Sequence, residues 1–240
     1  MPLTVSHPAA AWLVRRVAPR LPLDALVLGT MAPDFEYILR LRVYGRFGHT
    51  PLGLLLFCVP VGLVACAVFR ALVHPAAMRH LPAGLRSPAP RRGWLASAAA
   101  VLVGAATHVL WDSVTHGSAD LAVDSPLLRE MVAGVPVYHV LQHVSTLVGA
   151  VGIACWVRAW VRSHPSQARQ YAPGERTAAL RVAGAIVAFA ALAAVLNGAR
   201  RLHASPVVAV GYAAVGGMAG LAAAAVVYGA ATRRGGAFPG

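Results

Sequence analysis

Between Arg201 and Arg233 the chain carries no charged residue. A stretch that long and apolar exceeds the roughly 20 residues with which an α-helix crosses a bilayer. Hydrocarbon offers the backbone no hydrogen bonds, so such a segment must bond its own N–H and C=O groups, as a helix does. Five segments meet this description, at roughly 51–73, 94–116, 138–160, 180–199 and 206–229. Composition agrees: 58% of the 240 residues are apolar and 12% are charged, against about 25% charged in a soluble domain. The mean hydropathy is +0.64. The expectation is an all-α fold, a polytopic transmembrane helical bundle of about five spans, forming one integral membrane domain over 1–240.

The first 50 residues differ from the rest. Residues 8–18 and 22–32 read as two short apolar helices punctuated by Pro8, Pro19, Pro22 and Pro33. Neither is long enough to span, so they either lie in the interface or re-enter the bundle. They are expected to contribute to a site, with the bundle proper over 51–230. Gly216 and Gly220 form a small-x-x-x-small pattern that would let the last span pack closely. The 74–93 loop is rich in Pro and Arg, the 117–136 loop carries Asp120, Asp124 and Glu130, and the polar stretch 163–179 is expected to be exposed. The first residues lack the basic stretch before an apolar run that marks a secretory leader.

The net charge of +13 does not indicate nucleic acid. Every basic residue is Arg, scattered through short loops where such residues anchor helix ends and set topology. With much Ala, Gly and Pro, the composition resembles that of a GC-rich bacterial genome. Cys58, Cys66 and Cys155 lie in apolar stretches without Cys-x-x-Cys spacing and are expected to be core residues.

Five spans place the 74–93 loop, the 161–179 loop and the C-terminus on one side. That side collects Arg79, Arg86, Arg91, Arg92, Arg162, Arg169, Arg176, Arg233 and Arg234, with Glu175 as its acid. The positive-inside rule makes it cytoplasmic, so the expected location is a bacterial cytoplasmic membrane with a cytoplasmic C-terminus. His7, His49, His116, His139, His143 and His203 fall on the other side, and His108 and Asp112 in the same half of the second span. Asp34 and Glu36 join them. His74, His80 and His164 belong to the cytoplasmic side and read as solvated loop residues.

Within the second span His108, Asp112 and His116 are spaced i, i+4, i+8. On a helix they share a face that drifts by roughly 40° per step. Polar glue between spans would account for one of them. Three ionisable groups on one face of a spanning helix favour a functional site, and imidazole with carboxylate is a donor set for a divalent transition metal. In Ala32-Pro33-Asp34-Phe35-Glu36-Tyr37, Pro33 ends a helix and Asp34 either caps the next or ligates a metal. Glu36 is a second ligand or a base acting on water. Thr50 and Pro51 suit the start of the first span, which leaves His49 with no such role. His7 either precedes a helix or ligates. His139 and His143, with Gln142, sit i, i+4 at the start of the third span. They either ligate or hydrogen-bond to ligands from outside. No His-Glu-x-x-His, Gly-x-Ser-x-Gly or P-loop pattern occurs.

The ordered set Ser6-His7-Pro8, Leu28-Gly29-Thr30-Met31-Ala32-Pro33-Asp34-Phe35-Glu36-Tyr37, Gly48-His49-Thr50, the run from His108 to His116, and Leu141-Gln142-His143 resembles an uncharacterised bacterial membrane family, domain of unknown function 4184, over roughly residues 1–230. More distantly, the order is similar to membrane-bound metal-dependent hydrolases, which echo zinc-dependent phospholipase C. That resemblance implies His7, Asp34, His49, His108 and Asp112 as ligands, with Glu36 where the distant relatives usually show Asp. His108-x-x-x-Asp112 is also similar to the last motif of phosphatidic-acid-type lipid phosphatases, but Leu102 stands where those carry Arg, and their Pro-Ser-Gly-His element is missing. The expected function is metal-dependent hydrolysis, with zinc as cofactor, Glu36 or His116 as base, and a lipid or phosphoester substrate at the bilayer. The alternatives are a transporter or proton relay using the same cluster, and a non-catalytic membrane scaffold.

Overall fold

A computed structural model of the chain describes residues 6–90, 93–116, 120–165, 170–203 and 205–234. It is almost wholly helical. Short helices α1 (Pro8–Val17) and α2 (Leu23–Met31) lead through a 3-10 turn at Ala32–Asp34 into α3 (Phe35–Arg40). Five helices are long and apolar enough to cross a membrane: α4 (Pro51–Met78), α5 (Trp94–Thr115), α6 (Val137–Arg162), α7 (Glu175–Ala199) and α8 (Pro206–Arg234). The 117–136 loop holds more structure than expected. Short helices at Asp120–Asp124 and Pro126–Arg129 precede a two-strand ribbon that pairs Met131 with Pro136.

The described residues form two compact units. The first comprises residues 1–34, 46–66 and 92–160, and the second 35–45, 67–91 and 161–240. In the first unit, α1 begins with Pro8 at its first turn, where a missing N–H costs nothing, and buries Ala11 while Trp12, Arg16 and Val17 stay exposed. α2 buries Ala25, Leu26, Gly29 and Thr30 against α5. The fit depends on two glycines. A Cβ at Gly29 would lie 2.5 Å from the Val101 carbonyl oxygen, and one at Gly104 would lie 2.5 Å from that of Leu26. Backbone meets backbone here, which only residues without side chains permit. Val101 and Gly104 are in the middle of a spanning helix, so α2 runs beside its interior and not across its end.

In the second unit α7 and α8 form an antiparallel hairpin. The pattern at Gly216 and Gly220 is its contact seam: a Cβ on Gly216 would lie 2.6 Å from the Ala193 carbonyl oxygen, and one on Gly220 2.6 Å from the Ala193 Cβ.

Three expectations need correcting. His74 is not a loop residue but a buried one, because α4 continues through Pro75 to Met78. His80 is half-buried, and its Nε2 lies 2.6 Å from the Tyr228 hydroxyl. Cys155 is exposed on α6, whereas Cys58 and Cys66 are buried. An all-helical segment places apolar residues on every face, and in lipid an outward face is as apolar as an inward one. Arg169 and the other residues of 166–169 lie outside the described residues, as do Arg91 and Arg92.

Candidate metal centre

The centre is built from three short turns and one helix of the first unit. His7 stands immediately before α1, and Asp34 ends the 3-10 turn that follows α2. His49 ends a second 3-10 turn, Phe47–His49, after which Thr50 caps α4 by accepting a hydrogen bond from the Gly53 N–H at 2.9 Å. His108 and Asp112 are one turn apart on α5, and His116 is the residue at which that helix ends.

Asp112 is the hub. Its Oδ1 lies 3.5 Å from His7 Nε2 and 3.4 Å from His116 Nδ1. Its Oδ2 lies 3.2 Å from His108 Nε2 and 3.7 Å from His49 Nε2. Asp34 Oδ1 closes the set, 3.6 Å from His49 Nε2 and 3.7 Å from His108 Nε2. The imidazoles of His7 and His108 stack with centroids 3.8 Å apart and planes at 19°, and His49 meets His108 edge-on at 5.3 Å. His7, Asp34 and His108 are buried, while His49 and His116 are half-buried. The group therefore has a dry floor and a wetter rim.

Hydrogen bonding orients the ligand atoms. His108 Nδ1 is 2.7 Å from the Thr30 carbonyl oxygen, which only accepts, so the ring donates there and turns Nε2 towards Asp112 and Asp34. A backbone carbonyl that fixes the tautomer in this way orients an imidazole for a metal. Burial above all pushes His7 down to about 3, leaving it neutral at physiological pH. His108 Nε2 and Asp112 Oδ1 are buried and meet no hydrogen-bond geometry among the described residues, although four donor or acceptor atoms of the cluster stand within 3.7 Å of them. Buried polar atoms are normally satisfied. Imidazole nitrogens and carboxylate oxygens that converge on a common space suit a cation.

Two triads have ligand atoms within 4.8 Å of one another: His7, His108 and Asp112, and Asp34, His49 and His108. These His and Asp residues could hold a metal ion. Both triads use His108.

The other expected residues lie elsewhere. Glu36 belongs to the second unit, where its buried carboxylate is 3.1 Å from the Arg40 guanidinium. His139 and His143 are exposed on α6, with ring centroids 6.3 Å apart, and Gln142 is buried with its main-chain carbonyl accepting from Ser145 and Thr146. Among the described residues no ion pair or ring contact joins these three to the cluster. The carbonyl of Thr30 is the participant that sequence reasoning could not find, since every residue has one.

The model of the family described as Domain of unknown function (DUF4184) matches residues 1–230. The chain belongs to this family. No curated protein and no solved structure matches it. The family match covers every residue of the cluster and all but the last turn of α8.

Proposed function

We propose that this family member is a membrane-embedded, metal-dependent hydrolase, with one divalent transition metal held by His7, Asp34, His49, His108 and Asp112. The observation that carries the reading is the pair of triads within 4.8 Å that share His108, whose nearest ligand atoms stand 3.2 to 3.7 Å apart. With bonds of about 2.0–2.2 Å, neighbouring ligands of one four- or five-coordinate zinc ion stand roughly 2.8–3.6 Å apart. Three imidazoles and two carboxylates favour zinc over magnesium or calcium, which prefer all-oxygen sets.

A bound cation supplies Lewis acidity, bringing the pKa of water towards about 7 and polarising the substrate. The protein supplies the rest. The Thr30 carbonyl holds His108 in one tautomer. Asp112 ties His7, His49 and His108 to one point. His116, half-buried and 3.4 Å from Asp112, is the base that carries the proton from water to solvent. Between the two expected bases, the pairing of Glu36 with Arg40 favours His116 for this role. A phosphoester or lipid-derived substrate suits a centre among spanning helices, and the Arg distribution supports a bacterial cytoplasmic membrane with the C-terminus inside.

The test is elemental analysis of the detergent-purified chain, for wild type and for His108→Ala combined with Asp112→Ala, with hydrolysis of a bis(p-nitrophenyl) phosphate probe measured alongside. Near-stoichiometric metal and activity that both vanish in the variant support the reading. Wild type without bound metal after zinc loading overturns it. Metal without hydrolysis of any phosphoester or ester probe reduces it to a metal-binding scaffold.

A further inference from the structure

The second unit contains a cavity of about 240 Å³ that the metal reading does not use. Four arginines line it: Arg40, Arg42, Arg200 and Arg201, and no acid does. Their charges are barely compensated. Arg40 is paired with Glu36 at 3.1 Å, and Arg201 stacks over the Tyr212 ring at 4.8 Å. Arg42 and Arg200 are exposed and form no ion pair among the described residues.

Two helix ends converge here, the C-terminus of α3 and that of α7. Leu41 takes a left-handed conformation with φ of 51°, rare for a residue with a Cβ. The chain thus reverses between Arg40 and Arg42, and both line one cavity. This conformation closes the C-terminus of α3: the Leu41 N–H donates to the Ile38 carbonyl at 3.4 Å and the Arg42 N–H to the Tyr37 carbonyl at 3.2 Å. Buried Asn197 then donates from Nδ2 to the Tyr212 carbonyl at 2.7 Å and to that of Leu41 at 3.4 Å. One side chain on α7 therefore ties the segment after α3 to α8, and the four arginines line the cavity beside the join.

We propose that this cavity binds the phosphate of an anionic membrane lipid headgroup. Guanidinium forks match phosphate oxygens in pairs, and an anion relieves the mutual repulsion of the four charges. The volume lies below the roughly 300 Å³ at which drug-sized pockets begin, which suits a headgroup phosphate and not a large soluble ligand. The place suits a lipid too. The cavity lies where α7 ends at Ala199 and α8 begins at Pro206, the level at which spanning helices leave hydrocarbon.

The test uses the full chain in detergent and native mass spectrometry with added phosphatidic acid, phosphatidylglycerol or phosphatidylcholine. Inorganic phosphate is titrated in parallel by thermal shift. Phosphatidic acid and phosphatidylglycerol should bind at least about tenfold more tightly than the zwitterionic lipid. Arg42→Gln with Arg200→Gln should weaken them about tenfold or more, the loss expected on removing a charge-assisted hydrogen bond. Both residues are exposed, so the fold should survive, which circular dichroism checks. Arg42→Lys with Arg200→Lys should keep part of the affinity. If inorganic phosphate stabilises the chain with the same dependence on both arginines and the lipids do not bind, the anion site stands and its ligand is the free ion. Equal binding of phosphatidylcholine, or binding unchanged in the glutamine variant, overturns the proposal.

Discussion

Replacing Asp112 with Asn separates a metal centre from a purely structural polar cluster, because the two make different demands on stability. The substitution keeps shape and removes one charge. Asp112 Oδ2 and Asp34 Oδ1 lie 3.2 and 3.7 Å from the same His108 nitrogen, so they are separated by no more than about 7 Å. At an effective dielectric of about 20, two negative charges at that distance repel by about 2 kcal/mol. Without metal, this repulsion is set against the close approach of His7, His49, His108 and His116 to Asp112, so Asp112→Asn should shift stability by no more than about 2 kcal/mol in either direction. With metal it removes a ligand, and affinity should fall by at least about 100-fold, the upper end of what losing a mere supporting contact costs. The assay is a thermal unfolding midpoint in detergent, with zinc and with EDTA, beside competition against a chromophoric chelator. A structural cluster would instead lose about 3–5 kcal/mol when one buried partner is removed, with metal binding unaffected. A lowered midpoint in EDTA together with unchanged zinc affinity would refute the reasoning.

At Gly104, a methyl group would meet the Leu26 carbonyl oxygen at 2.5 Å and the Thr30 nitrogen at 2.7 Å, neither of which can swing aside. Gly104→Ala should cost about 1–3 kcal/mol and lower zinc affinity by displacing the Thr30 carbonyl from His108. Gly152→Ala, with nothing within 4 Å of the added carbon, should change neither quantity in the same two assays. His139→Ala combined with His143→Ala should leave zinc content by elemental analysis at the wild-type level, since both rings are exposed. Burial, and then Arg79 and Arg86, hold the His80 imidazole below its ordinary value. As pH falls through about 6.5, the unfolded chain takes up a proton that the folded chain resists, so stability declines. The thermal midpoint should fall between pH 7.5 and 5.5, and fall less in His80→Gln.

Much of the architecture is local and therefore written in the chain order. Uninterrupted apolar runs dictate spanning helices because lipid forbids unpaired backbone, and the long helices fall where those runs do. Their ends are less legible: α7 starts at Glu175, and α4 continues through Pro75 to Met78, since a helix can extend into the headgroup region without an apolar sequence. The spacing of His108 and Asp112 places both on one helix face whatever surrounds them. Clustered polar residues in a lipid-facing chain also single out His7, Asp34 and His49, because such groups are costly without a role.

What periodicity could not supply is which of these groups meet. Glu36 is only two residues from Asp34, yet its carboxylate turns to Arg40. His139 and His143 have the same i, i+4 spacing as His108 and Asp112, yet they face outward. The difference lies in tertiary contacts that carry no side-chain signature. Gly29 and Gly104 let two backbones touch, and that approach brings the Thr30 carbonyl to His108 and Asp34 to within reach of it. The arginine cavity is of the same kind. Arg40, Arg42, Arg200 and Arg201 look in sequence like helix-end anchors, and the left-handed turn at Leu41 with the Asn197 hydrogen bonds brings them together. Sequence alone determines the helices and the residue types available, because those follow from lipid and from helical period. Only the tertiary structure decides which lone pairs and which guanidiniums share a space, because that depends on where backbones without side chains can approach.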